Sequence, residues 1–196
     1  MGTDGRERVY MKDRAAWRAW LVDHADRTDG IWLEYDKAPA RTLPYDDIVE
    51  EALCFGWVDS RPGKLSDTRS LLYVAPRKPT SRWSRANRER VERLRKAGAM
   101  TERGEAAVRA AVAAGVWDAL DEVEELREPD DLCAALDAVP AARREWDAFP
   151  PSVRRAILEW LLSAKRPETR ARRLDTIVAD AAVGRRANQW RQPKSR

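Results

Sequence analysis

The stretch EALCFGWVDSR, Glu51 to Arg61, ends a helix, stops it at a glycine and begins a strand. Upstream, Tyr45, Ile48, Val49, Ala52 and Leu53 recur at helical spacing from an opening near Pro44. Asp46 and Asp47 occupy the first turn, where the helix dipole favours carboxylates. On this reading Glu50 and Glu51 face water, Cys54 and Phe55 point inward, and Gly56 is the C-terminal stop. From Trp57 the period becomes two: Trp57 and Asp59 share one face, Val58 and Ser60 the other. A helix delivered straight into a strand points to an α+β chain. The turn also crowds a thiol, two aromatic rings, a carboxylate, a hydroxyl and a guanidinium together, which suits an active site, a ligand pocket or a well-packed corner.

Working outward, Asp13 caps a helix running to about His24, with Trp17, Trp20, Leu21 and His24 along one stripe. Ile31–Asp36 alternates as a strand, with Ile31, Leu33 and Tyr35 on one face. Trp57–Ser60 is a short second strand and Arg69–Ala75 a third, closed by Pro76. Ser84 caps a helix that stops at Gly98, and Thr101 caps an alanine-rich one that ends at Gly115. Beyond that the chain reads as helix only: Pro129, Pro140, Pro151 and Pro167 each stand where a helix begins. The expected architecture is helix-rich α+β, a small sheet of about three strands packed with helices and followed by a C-terminal helical bundle. The boundaries read as an α+β domain over 1–117, an acidic connector over 118–130, a helical subdomain over 131–184 and a basic, flexible tail over 185–196.

The 196 residues carry 37 basic and 33 acidic side chains, and their net +4 conceals a block pattern. The net charge is −5 over residues 1–60, +9 over 61–104, −8 over 105–149 and +8 over 150–196. Such blocks either neutralise one another or present a basic surface to an anionic partner. No apolar run approaches the roughly 18 residues of a membrane span, and no secretory signal is visible at the N-terminus. Cys54 and Cys133 lie far apart and read as reduced thiols. A cytoplasmic location is expected.

Most enzyme classes lack their motif. With one histidine, His24, on an apolar stripe, no metal cluster is expected; a helix-end residue paired with local carbonyls fits better. There is no phosphate loop, no dinucleotide fingerprint and no nucleophile elbow. Cys54, at the negative end of a helix dipole and facing inward, reads as inert. No cofactor is expected.

The richest surface candidate is KPTSRWSRANRERVERLRK (78–96). Glu89 to Arg93 and Glu92 to Lys96 stand at i,i+4 and can pair. Arg77, Lys78, Arg82 and Arg85 lack such partners in sequence and read as available. The candidate binding set is Asp59, Ser60, Arg61, Arg77, Lys78, Arg82, Trp83, Arg85 and Asn87, gathered around an anion, with Trp83 as a possible stacking ring. The competing reading makes Trp57 core and pairs Asp59 with Arg61 or Arg77. A second basic node, Lys165 to Arg173, reads as a helical-hairpin corner, with Arg172 or Arg173 bridging to the acidic residues of 118–131.

EALCFGWVDSR, then APRKPTSRWSRANRERVERL, then AKRPETRARRLDTIV make an ordered set of three motifs. By these the chain resembles the bacterial YdeI/OmpD-associated family, also called bacteriocin-protection proteins, from about Trp17 to Gly184. The resemblance implies protection against bacteriocins or cationic antimicrobial peptides, and the family name implies a porin association. It brings no catalytic residue set. The function expected is stress protection through binding of an anionic ligand or protein partner rather than through catalysis. The alternatives are a nucleic-acid-binding module using residues 77–96 and an enzyme with an anion pocket near Asp59 and Arg77.

Overall fold

The computed structural model describes residues 5–189. The chain divides at Ala119/Leu120 into two compact units.

The first unit is a four-stranded sheet with helices on one face. Its strands are β1 (Arg8–Tyr10), β2 (Ile31–Asp36), β3 (Trp57–Lys64) and β4 (Arg69–Pro76), in the order β1-β2-β4-β3. Its helices are α1 (Arg14–Asp23), α2 (Tyr45–Cys54), α3 (Arg85–Lys96) and α4 (Glu102–Ala113). Antiparallel pairing sets Ile31 opposite Val74 and Leu33 opposite Leu72. These four side chains are buried with Trp17, Leu21, Ile48, Leu53, Trp57 and Val91 in one core. Helix α2 is central, in contact with α1, α3, α4 and β3. The caps fall where the side-chain chemistry puts them: Asp13 accepts from Ala16 N–H, Ser84 from Asn87 N–H and Thr101 from Gly104 N–H.

The sheet has four strands rather than three. Strand β1 spans three residues and pairs parallel to β2, too short for alternation to register. Strand β3 runs four residues past the expected Ser60. Pro62 and Gly63 look like a loop, but β3 is an edge strand, where a proline's missing N–H is tolerated. A bulge between Asp59 and Arg61 shifts the register there.

Gly104 lets α4 approach α2. A methyl on it would lie 2.8 Å from the Cys54 carbonyl carbon and closer still to its oxygen. That carbonyl is held in place by Thr101 N–H at 3.1 Å and the Thr101 hydroxyl at 2.5 Å. Gly104→Ala gains about 1 kcal/mol of helix propensity but must push two backbones apart. Overpacking, at about 1–3 kcal/mol, wins. Chemical denaturation should show net destabilisation; a more stable Gly104→Ala protein would mean the two helices separate freely.

The second unit is all helix: α5 (Asp121–Glu124), α6 (Asp130–Asp137), α7 (Pro140–Ala148), α8 (Pro151–Leu162) and α9 (Pro167–Ala182). Pro140, Pro151 and Pro167 start α7, α8 and α9, and Pro129 caps α6. Leu132, Leu136, Trp146, Ile157, Leu161 and Ile177 form its core. The acidic segment read as a connector contains α5, and Val123 is buried in this core. Residues 185–189 of the expected tail are not loose: Arg185 ion-pairs with Asp180 at 2.8 Å and Ala187 is buried. The rest of that tail, 190–196, lies outside the described residues.

Candidate functional site

Strand β3 begins and β4 ends side by side, Trp57 opposite Pro76. The carbonyl of Gly56 accepts Arg77 N–H at 2.9 Å and so fixes where Arg77 leaves the sheet. Gly56 has φ +72°, the left-handed region that glycine enters without strain. Its missing side chain matters equally: a Cβ would stand 3.0 Å from the Arg103 carbonyl and 3.1 Å from Ala107 Cβ. The turn thus brings α4 against the sheet end and opens a cleft of about 260 Å³ between them.

Every charged side chain lining this cleft is a cation: Arg27, Arg77, Lys78 and Arg103. Arg27 pairs with Glu7 at 2.6 Å, and Arg103 with Asp26. Arg77 and Lys78 have no ion-pair partner among the described residues. The Arg77 guanidinium lies 3.8 Å above the ring of Trp83 and donates from Nη1 to the Arg82 carbonyl at 3.0 Å. Its Nε–H is buried and meets no acceptor. Burial pushes this guanidinium down to about 10, opposed by the field of Asp59. A desolvated cation without a counter-ion is costly. The uncharged side chains of the lining are apolar, among them Phe55, Trp57 and, from α4, Ala106, Ala107 and Ala110.

Of the nine residues read from the sequence as a binding set, Arg77 and Lys78 line the cleft. Trp83 is wholly buried beneath Arg77 and beside Trp117, ring centroids 5.0 Å apart, so it offers no face for a base to stack on. Asp59 accepts the Tyr45 hydroxyl at 2.7 Å rather than pairing with Arg61 or Arg77. Burial and that hydrogen bond push the Tyr45 phenol up to about 12. Ser60 and Arg61 are exposed on β3, and Arg61 lies over the rings of Trp32 and Tyr73. Asn87 accepts from Arg90 at 3.2 Å. Arg82 and Arg85, read as available, are both engaged within the protein. Arg27 and Arg103 went unrecognised in the sequence, because one precedes a turn and the other sits in an alanine-rich helix. Only tertiary structure unites them.

Helix α3 is neutralised mostly by carboxylates on neighbouring helices, with one pair along its own length. Arg90 reaches Asp46 at 2.7 Å and Arg93 reaches Glu50 at 3.2 Å, both on α2. Arg95 binds Glu92 and Glu105, each at 2.7 Å. The expected pairing of Glu89 with Arg93 gives way because the acidic face of α2 lies alongside. Glu51, expected to face water, is 3% exposed and binds Arg14 and Arg18 of α1.

Other chemistry is quiet. Burial pushes the Cys54 thiol up to about 11, aided by the Glu51 carboxylate, which keeps it protonated and inert at neutral pH. His24 places Nδ1 2.8 Å from the Trp20 carbonyl, its ring stacked on Trp20. No cluster of three or more metal-ligating side chains exists among the described residues, and no helix there is long and apolar enough to cross a membrane. In the second unit the bridge from the basic node to the acidic segment is made by Arg170, bidentate on Asp131 at 2.6 and 2.8 Å. Arg173 instead lies over Trp160 and donates to the Ser163 hydroxyl at 2.6 Å.

Two family models match the chain. Residues 125–184 match the family described as bacteriocin-protection, YdeI or OmpD-associated, and this span holds the third motif, AKRPETRARRLDTIV. Residues 9–107 match the domain of unknown function DUF8412, and this span holds the first two motifs. No curated protein and no solved structure matches. With half of its length accounted for by that first-unit match, which covers every cleft residue but Ala110, the chain belongs to the DUF8412 family and carries a YdeI/OmpD-associated segment in its second unit.

Proposed function

We propose that this is a stress-protection protein that acts by binding an anionic ligand, and that it contributes in the cytoplasm to resistance against bacteriocins or cationic antimicrobial peptides. The observation that carries the binding reading is the cleft whose four charged lining residues are all cations, two of them without an acid partner among the described residues. The protective role is taken from the YdeI/OmpD-associated segment. A porin partner is suggested by that family's name alone. A cationic site does not capture a cationic peptide directly, because like charges repel. Protection on this reading runs through the anion that the cleft holds.

Two competing readings have less behind them. Binding of nucleic acid along 77–96 needs unneutralised arginines and an open ring, whereas Arg90, Arg93 and Arg95 are tied to carboxylates and Trp83 is buried. Catalysis near Asp59 needs a free carboxylate, and Asp59 is occupied by Tyr45.

The test is genetic. A deletion strain is challenged with a cationic antimicrobial peptide after complementation with wild type, Lys78→Glu or Arg77→Glu. Lys78 is exposed, so its reversal leaves the fold intact. Wild type should restore resistance and the reversals should not. A deletion strain as resistant as its parent would refute the protective role.

A further inference from the structure

We infer that the cleft between the Gly56 turn and α4 binds a small phosphate monoester, with its phosphate at Arg77 and Lys78 and a short apolar body against Phe55, Trp57 and the alanine face of α4. This rests on the anion-binding reading above and narrows it to one ligand class.

Charge selects the head group. Arg27 and Arg103 already have carboxylate partners, which leaves Arg77 and Lys78 as the two uncompensated cations. Two positive charges call for a dianion, and a phosphate monoester carries close to two negative charges at neutral pH, its second pKa being about 6. The Arg77 guanidinium also offers phosphate oxygens charge-assisted donors: with Nε–H buried and one Nη1 N–H on the Arg82 carbonyl, the Nη2 end remains. Stacking on Trp83 and the Nη1 bond to the Arg82 carbonyl hold Arg77 in one orientation before any ligand arrives. Little side-chain entropy is then lost on binding.

Size and lining select the body. A volume of about 260 Å³ falls below the range of roughly 300–1,000 Å³ typical of drug-sized ligands. It accommodates a phosphate and little more than one ring. The uncharged lining offers aromatic rings, prolines and alanine methyls, so a bare inorganic ion would leave that apolar surface wet. An organic body would bury it, at about 25 cal/mol per Å². A polyanion gains nothing from this apolar lining, and the arginines of α3 that might extend its track are bound to α2.

Isothermal titration of the full chain with phenyl phosphate, inorganic phosphate and a mixed-sequence single-stranded oligonucleotide tests this. Phenyl phosphate should saturate one site at least about tenfold more tightly than inorganic phosphate. Arg77→Gln together with Lys78→Gln should weaken both phosphates about tenfold or more. Ala106→Phe, at an exposed position of α4 that lines the cleft, should remove the preference for phenyl phosphate while the inorganic ion still binds. Equal affinity for the two phosphates would overturn the monoester assignment and leave the anion site standing. Binding of the oligonucleotide alone would overturn it in favour of an extended polyanion surface. No binding by any of the three would remove the anion-binding reading as well.

Discussion

Trp17→Ala should lower the stability of the first unit by about 3–5 kcal/mol, the range for deleting a buried tryptophan. Trp17 is completely buried, stacked on Trp20 at 5.4 Å and edge-on to Trp57 at 6.4 Å. Its indole N–H donates to the Ile48 carbonyl at 3.1 Å, so truncation removes a donor inside the core as well as a ring. The Ile48 carbonyl lies inside α2 and keeps its intrahelical partner, so the lost hydrogen bond adds only about 0.5–1.5 kcal/mol. Domain stabilities are commonly only about 5–15 kcal/mol, so this one change consumes a large share. Trp17→Phe separates the terms: it keeps most of the ring and loses the hydrogen bond. Urea unfolding followed by circular dichroism should place Trp17→Phe between wild type and Trp17→Ala. A Trp17→Ala protein within 1 kcal/mol of wild type, well below the cavity range, would mean that the three-indole cluster does not hold α1 to β3. The same cluster reaches the cleft, because Trp57 is part of both.

Local chemistry was enough to place α1 to α4 and three strands. Caps at Asp13, Ser84 and Thr101 and the period shift at Gly56 each depend on neighbours within a few residues. What escaped reading depends on distant partners. Strand β1 exists because β2 offers it an edge. Glu51 looks like the water-facing residue of an acidic stripe, and becomes buried because Arg14 and Arg18 come down on it from a helix more than thirty residues earlier. The site shows the same limit. Arg77 and Lys78 were legible as cations without sequence-local acids, whereas Arg27 and Arg103 join them only through the contact that Gly56 permits with α4. The cluster 82–87 misled, because a tryptophan among arginines looks the same in sequence whether its ring is open or buried. Trp83 is buried precipitously close to the chain's own Arg77, whose guanidinium takes the place on its ring face that a base would need.

Removing both arginines that bind Glu51 should cost about 3–5 kcal/mol, the range for breaking a buried ion pair by deleting one side of it. Glu51 Oε1 takes the Arg14 Nε–H and Oε2 the Arg18 Nη1–H, each at 2.7 Å. Each oxygen has its own guanidinium, so either single alanine variant leaves one charge-assisted bond in place. The singles should each cost about 0.5–1.5 kcal/mol, and the double more than their sum, because only in the double is the carboxylate left without a cation. Glu51→Gln should be milder than the double. The guanidinium groups it leaves behind are 39% exposed on their side chains and can return to water, where such charges are screened. The decisive variant is Arg14→Ala, Arg18→Ala and Glu51→Leu together. Replacing a buried ionic group by apolar side chains is often neutral, and the Asp47 and Glu50 carboxylates that Arg14 also binds are partly exposed and can return to water, so the triple should recover most of what the double loses. A triple variant as unstable as the double would place the loss in the packing of the arginine stems, with Arg18 lying over the Phe55 ring at 5.3 Å, and not in an orphaned charge.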